Sequence, residues 1–409
     1  MNTLLLLGLA LVAALAIGRL AGLIGLPRVV GYIFAGLFLG DSGLHILTSS
    51  LVDAFAPLVN FALALIGFMV GGELKYEIFR RYGRQFFIIL LCEGILAMIV
   101  VTTLVWWWTG NPALAILLGA LSSATAPAAT VDVLWEYKSR GPLTTTILAI
   151  VALDDGLALI LYGFAFAVAQ ALLTADSITP VGLFFGPLRE ILGALLLGCA
   201  TGFCLDQLLP FLKKDEDRLV LNLGAILLAA GLAIKMDLSL IMVSMAIGAW
   251  LANTHRHRNE QSFESVKLFT PPIYTFFFIL VGARLRLDLL PQLGVVGLLY
   301  ILGRTMGKWT GAFIGGQISG AATTVRKYLG LALLSQAGVA LGLSLHVYDH
   351  FSSQGAAGHA LGVTVLNVIA ATTFIVQILG PPAVKMAITK AGEIPVVQEA
   401  TPPVSLPEN

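Results

Sequence analysis

Thirteen apolar stretches, separated by short polar or Pro/Gly-rich breaks, follow one another through the 409-residue chain, and no water-soluble core absorbs so many. They fall at roughly 3–25, 27–40, 51–72, 85–108, 112–134, 143–172, 188–212, 218–234, 238–253, 266–283, 292–317, 325–347 and 360–389. A membrane-spanning helix needs about 20 apolar residues, so the pattern predicts an all-α polytopic membrane protein with 13 transmembrane helices. Composition agrees: 58% of residues are hydrophobic and 11% charged, where a soluble domain carries about 25% charged residues. The net charge of +1 offers nothing to nucleic acid. Cys92, Cys199 and Cys204 lie inside apolar stretches without metal-ligand spacing and read as buried free thiols. The N-terminal run has no basic region before it and continues through Arg19 into a second apolar stretch, so it reads as a first span, not a cleaved leader.

The basic residues orient the spans. With the N-terminus outside and the C-terminus in the cytoplasm, 17 of the 24 Lys and Arg residues fall in inside loops, among them Arg80, Arg81, Arg84, Lys213, Lys214, Arg326 and Lys327. Arg189, Lys235, Arg284 and Arg286 fall outside, and Arg19, Arg304 and Lys308 stay within spans. Cytoplasmic loops are the ones enriched in Lys and Arg, and one span more or fewer would scramble the asymmetry.

Two spans have weak centres. "LSSATAPAAT" (121–130) places proline and small residues in mid-span, and "LSQAGVALG" (334–342) does the same without proline. Proline removes an intrahelical hydrogen bond, and small residues let the backbone unwind. The two lie seven spans apart, so they run in opposite directions. Interrupted helices at matching places in two inverted halves point to a transporter's midplane site.

The charges left in the membrane are few. Asp154 and Asp155 sit together in "IVALDDGLALI" (150–160). Consecutive helical residues point about 100° apart, so one carboxylate can face a cavity while the other takes a partner. Such a pair binds either a proton or a small cation. Arg304 is the natural internal counter-charge. Lys308, one turn on, lines the same cavity or snorkels to the inner surface. Glu93 is a lone intramembrane glutamate, and Asp132 follows the break in span five; for both, an ion-path role and a merely structural one stay open. Ser122, Ser123 and Thr125 supply hydroxyl oxygens of the kind hard cations prefer, and the Ser335 hydroxyl and the Gln336 amide oxygen are candidates at the second break. His255, His257 and His346 read as span-end residues, not metal ligands.

The segments "LPRVVGYIFAGLFLG" (26–40), "GFMVGGELKYEIFRR" (67–81), "ATAPAATVDVLWEYKSRGPLTTTILAIVALDDGLAL" (124–159), "PPIYTFFFILVGARLRLDLL" (271–290), "GRTMGKWTGAFIGG" (303–316) and "LLSQAGVALGL" (333–343) together resemble the monovalent cation–proton antiporter superfamily, in its two-aspartate branch, the sodium/proton exchanger domain. The resemblance runs from about residue 5 to 390. It implies inverted repeats with two crossed discontinuous helices, here at 122–130 and 334–342. It divides a membrane domain (1–390) into transport helices (about 85–172 and 292–389) and dimerisation helices (about 1–72 and 188–283), with a short cytoplasmic tail at 391–409. It implies antiport of Na⁺ or Li⁺, or else K⁺, against H⁺ in the cell membrane, by an elevator-type movement of a homodimer held in lipid. The cation ligands would be Asp155, Asp154 and Thr125. Arg304 falls where the family places the basic partner of Asp154, normally a lysine; an arginine does not release its proton, which points away from electrogenic exchange unless Lys308 takes the role. The short tail leads to the expectation of no attached nucleotide-binding regulatory domain, and no cofactor is expected. A passive cation channel and an electroneutral K⁺/H⁺ exchanger are the alternatives. An intramembrane protease would need carboxylates from two different helices.

Overall fold

Proline and glycine set most helix boundaries. In the computed structural model, which describes residues 3–174, 180–212, 214–284, 294–336, 338–352 and 354–395, the first helices are α1 (Thr3–Leu23), α2 (Arg28–Leu39), α3 (Ser49–Ala54), α4 (Ala56–Glu73) and α5 (Tyr76–Thr109). Then come α6 (Pro112–Leu121), α7 (Pro127–Glu136), α8 (Pro142–Thr174), α9 (Pro180–Leu208), α10 (Asp215–Lys235) and α11 (Leu240–Asn253). The last are α12 (Arg256–Ala283), α13 (Gly294–Ile318), α14 (Thr323–Ala332), α15 (Gly338–Ser352) and α16 (Gly355–Ala391). Four helices begin on proline, whose missing N–H costs nothing in a first turn. Between α5 and α6, Gly110 takes a left-handed conformation (φ +65°), and the Asn111 side chain accepts from the Leu114 N–H at 3.0 Å.

Each of the thirteen apolar stretches coincides with one helix or with a helix pair. Among the described residues, eight helices are long and apolar enough to cross a membrane, while α2, α6 and α11 are shorter apolar helices. The expected span 51–72 divides into α3 and α4, and α5 begins at Tyr76, nine residues before its apolar stretch. Arg80, Arg81 and Arg84 thus sit on a helix, not in a loop. Charged residues with good helix propensity end an apolar run without ending a helix. Lys213, Arg286, the side chain of His257 and the tail beyond 395 lie outside the described residues. Of the three thiols expected to be buried, Cys204 is exposed on α9, and Cys92 and Cys199 are partly so.

Two packing groups emerge. In one, α13 lies along α5, α5 against α6, α6 against α8, and α14 and α15 against α16. In the other, α11 lies against α4 and α9, and α2 against α1 and α12. Contacts between the groups are sparser and run through α2, α4, α7, α8, α9 and α16. Large apolar side chains stay exposed on the periphery, as on α1 (Leu5, Val12, Leu20) and α10 (Val220, Leu228). Trp106, Trp107 and Trp108 are exposed at the end of α5, as interfacial aromatics are.

Candidate functional site

The two interrupted spans meet at their breaks. Pro127 drives the preceding Ala126 out of helical conformation (φ −78°, ψ 116°), and the freed Ala126 N–H donates to the Ser335 carbonyl at 2.9 Å. On the other strand of the crossing, 333–336 lie between α14 and α15. Both breaks leave carbonyls without helical partners. Arg304 of α13 meets them, donating to Leu334 O (2.5 Å), Ala124 O (2.8 Å), Ser335 O (3.2 Å) and Leu333 O (3.4 Å). Its fixed positive charge stands where the carbonyl ends of α6 and α14 carry partial negative charge. Gln336 adds a bond to Leu121 O at 2.7 Å and pairs with the Tyr300 hydroxyl. The Ser122 and Ser123 hydroxyls turn back onto Gly119 O and Ala120 O.

One turn along α13, Lys308 belongs to a different constellation. Gly307 and Gly311 let α13 lie directly on α5: a Cβ at either would stand 2.5 Å from the Cα of Ala97 or Glu93. That close approach, of the small-xxx-small kind, brings Lys308 to Glu93. Its Nζ donates to Glu93 Oε2 at 2.7 Å, to Thr125 Oγ1 at 2.8 Å and to Asp154 Oδ2 at 3.4 Å. Lys308, Glu93 and Asp154 all have zero exposure.

Asp155 faces the other way. Both its carboxylate oxygens lack a hydrogen-bond partner. The residue is 1% exposed and lines a cavity of about 520 Å³ between the packing groups. From the break come Thr125, Ala126 and Pro127. From α16 come Thr373 and Gln377, and from the second group come Asn60, Glu190, Ser239 and Arg284. The Thr373 hydroxyl, the Gln377 carbonyl oxygen and the Ser335 hydroxyl are likewise buried without partners. An open carboxylate in a cavity that Thr373 and Gln377 also line with unpartnered oxygens suits a small hard cation or a proton.

The sequence profile of the family described as "Sodium/hydrogen exchanger, transmembrane" matches residues 8–385. The chain belongs to this sodium/hydrogen exchanger family. It is 24% identical over 345 residues to the Na(+)/H(+) antiporter of Enterococcus hirae, a match spanning 81% of this chain and 86% of that one. It is also 24% identical over 177 residues to the Na(+)/H(+) antiporter NhaP of Pseudomonas aeruginosa, covering 43% of this chain and 41% of NhaP. Against the glutathione-regulated potassium-efflux system protein KefC of Escherichia coli the identity is 24% over 275 residues, covering 63% of this chain and 41% of KefC. The sodium proton antiporter MjNhaP1 of Methanocaldococcus jannaschii shares the fold, with a TM-score of 0.76 at 17% identity over 98% of this chain and all of that one.

In this chain the basic partner of Asp154 is Lys308, and the expected Arg304–Asp154 pair is replaced by Arg304 bonds to carbonyls. Carbonyls of both breaks lie within reach of Arg304, and a guanidinium with five donors satisfies several at once. Thr125 serves as acceptor for Lys308 as well as lining the cavity. Ser122 and Gln336 bind backbone at the crossing, and Asp132 lies on α7 one turn before Glu136. His346 stands on α15 with its Nδ1 2.7 Å from the Tyr162 hydroxyl, and His255 pairs with Asp206 at 2.9 Å. Sequence reading passed over Thr373, Gln377 and Glu190; the available signal was threonine and glutamine at i and i+4 in an otherwise apolar span.

Proposed function

We propose that this chain is a secondary active antiporter that exchanges Na⁺ or Li⁺ for protons, with both competing for Asp155. One observation carries the reading: Asp155 is buried with both oxygens unpartnered, yet lies on the wall of a cavity. An ionised carboxylate in that place costs at least about 2.5 kcal/mol on insertion scales. A proton or a cation removes that cost, and each excludes the other.

Coupling follows from the same cost. A core whose site is occupied crosses the hydrophobic barrier, and an empty charged one does not. The moving part would be the α5–α8 and α13–α16 group, sliding past α1–α4 and α9–α12 so that the cavity side of Asp155 changes. The second group would supply the homodimer contact. With the C-terminus in the cytoplasm, the cavity opens outward, because Arg284 and the turn between α10 and α11 fall on the outer face.

The similarity to KefC favours K⁺ as a second candidate ion. A cation series in proteoliposomes under an imposed pH gradient separates the candidates, and uphill cation accumulation separates antiport from a passive channel. The decisive variant is Asp155→Asn, expected to abolish cation-dependent proton movement; retained exchange would sink the assignment.

A further inference from the structure

We infer that the end of α7, Trp135-Glu136-Tyr137, acts with Lys385 of α16 as an inner latch, holding the two packing groups together while the Asp155 cavity opens outward; the inference rests on the alternating movement described above. Each of the three consecutive residues takes part in a contact to the second group. The Trp135 ring stacks on Tyr274 of α12, with centroids 6.0 Å apart and planes 12° from parallel. Glu136 Oε2 accepts from the Arg28 N–H at 2.8 Å, and its Oε1 lies 3.6 Å from the Arg28 Nε. Lys385 lies over the Tyr137 ring, 4.9 Å from its centroid, and its Nζ donates to the Gly25 carbonyl at 2.5 Å.

The gripped turn has matching chemistry. Because α1 ends at Leu23 and α2 begins at Arg28, the negative end of one helix dipole lies beside the positive end of the next. The Lys385 ammonium meets the carbonyl side, and the Glu136 carboxylate meets the amide side. Pro27 precedes α2, which has no side-chain cap of its own; Glu136 supplies that cap from the other packing group.

The latch is also tied to the ion site. Helix α7 starts at the break, where Thr125, Ala126 and Ala128 line the cavity with Asp155. Its far end is fastened to α8 and α16 through Glu393, which accepts from the Arg140, Leu143 and Thr144 N–H groups. A displacement of the aspartates past the second group therefore breaks the contacts to Tyr274, Arg28 and Gly25. Release is cheap: the Arg28 side chain is 60% exposed and that of Glu136 18%, so water takes over as the partners separate.

The test uses the full-length protein with Cys92, Cys199 and Cys204 replaced by serine and a single reporter, Ala128→Cys, on the cavity wall. A membrane-impermeant thiol reagent is applied to right-side-out and to inside-out vesicles. The ratio of outer to inner labelling rates follows the ratio of the two orientations, wherever that equilibrium starts. Glu136→Ala and Lys385→Met are each expected to lower the ratio severalfold while exchange persists, and the two together to lower it further. An unchanged ratio in both, with exchange intact, overturns the latch and leaves antiport standing. Where a variant does not fold, Arg28→Cys with Glu136→Cys decides: a short bifunctional thiol reagent is expected to bridge them and stop exchange, and a reductant to restore it. Exchange that continues in the bridged protein, or cysteines that do not bridge, overturns the latch. Wild-type vesicles that move neither ion overturn the antiport reading, and the labelling ratio still judges the latch.

Discussion

Lys308 Nζ lies 3.4 Å from Asp154 Oδ2, whereas Arg304, four residues earlier on the same helix, directs its donors to four main-chain carbonyls. Two cations one turn apart therefore do different work, one on carboxylates and one on backbone. The planar fork of arginine is what reaches carbonyls on both broken spans, and a single ammonium cannot reproduce it. Arg304→Lys is expected to lower stability by about 1.5–3 kcal/mol, the range for one lost bond to a charged donor, read as a fall in melting temperature in detergent. Unchanged melting would show that the crossing holds without the arginine.

Lys308 should couple energetically to Glu93. Removing the ammonium alone strands two buried carboxylates, a change that costs about 3–5 kcal/mol for a broken buried pair. Removing Glu93 with it strands one fewer. Lys308→Gln is therefore expected to melt well below Lys308→Gln combined with Glu93→Gln, and a double-mutant cycle measures the coupling. Additive losses would mean that the 2.7 Å contact has no energetic weight.

The proposed competition at Asp155 gives a pH dependence of definite sign. Protons occupy the carboxylate as pH falls, so the apparent KM for the cation should rise on the acid side, by about tenfold per pH unit where protonation dominates. The maximal rate at saturating cation should change less. Initial rates over a grid of pH and cation concentration decide this. A KM that is flat with pH would separate the proton site from the cation site.

The lining of the cavity yields a prediction about selectivity. Thr373 and Gln377 present buried oxygens without partners on the same cavity wall system as Asp155. Thr373→Val and Gln377→Leu keep the volume nearly constant and remove those oxygens. Each is expected to shift the ratio of Na⁺ to K⁺ transport severalfold while exchange persists, read from the cation series in proteoliposomes. Unchanged ratios for both would confine selection to Asp155 and the break.

What the sequence made legible follows from contrast. Charged residues and proline are conspicuous in an apolar run, so the aspartate pair, Glu93, Arg304, Lys308 and the break at Pro127 stand out in the sequence itself. The choice between Arg304 and Lys308 as partner of Asp154 did not. Residues four apart share one helix face, so spacing alone treats them as equivalents. Depth decided between them: the seam at Gly307 and Gly311 presses α13 onto α5 and sets Lys308 against Glu93. Thr373 and Gln377 were masked because one or two polar residues barely lower the hydropathy of a 37-residue helix.

Glu393 was hidden for a related reason, since it follows the last apolar stretch and reads as tail. Its carboxylate accepts from the Leu143 and Thr144 N–H groups at 2.7 Å each and from the Thr144 hydroxyl at 2.6 Å, and its own carbonyl accepts from Arg140 N–H at 3.0 Å. It thereby caps α8, the helix that carries both aspartates, from 250 residues away. A carboxylate satisfies orphan N–H groups and favours the positive end of the helix dipole. Loss of such a cap costs about 0.5–2 kcal/mol, so Glu393→Ala should lower the melting temperature and loosen the start of α8 in hydrogen exchange. Glu393→Gln keeps an acceptor without the charge and should fall between wild type and alanine. Faster exchange at 143–146 in the alanine variant is the specific sign; unchanged protection there would show that Pro142 and the following turns hold the helix end unaided.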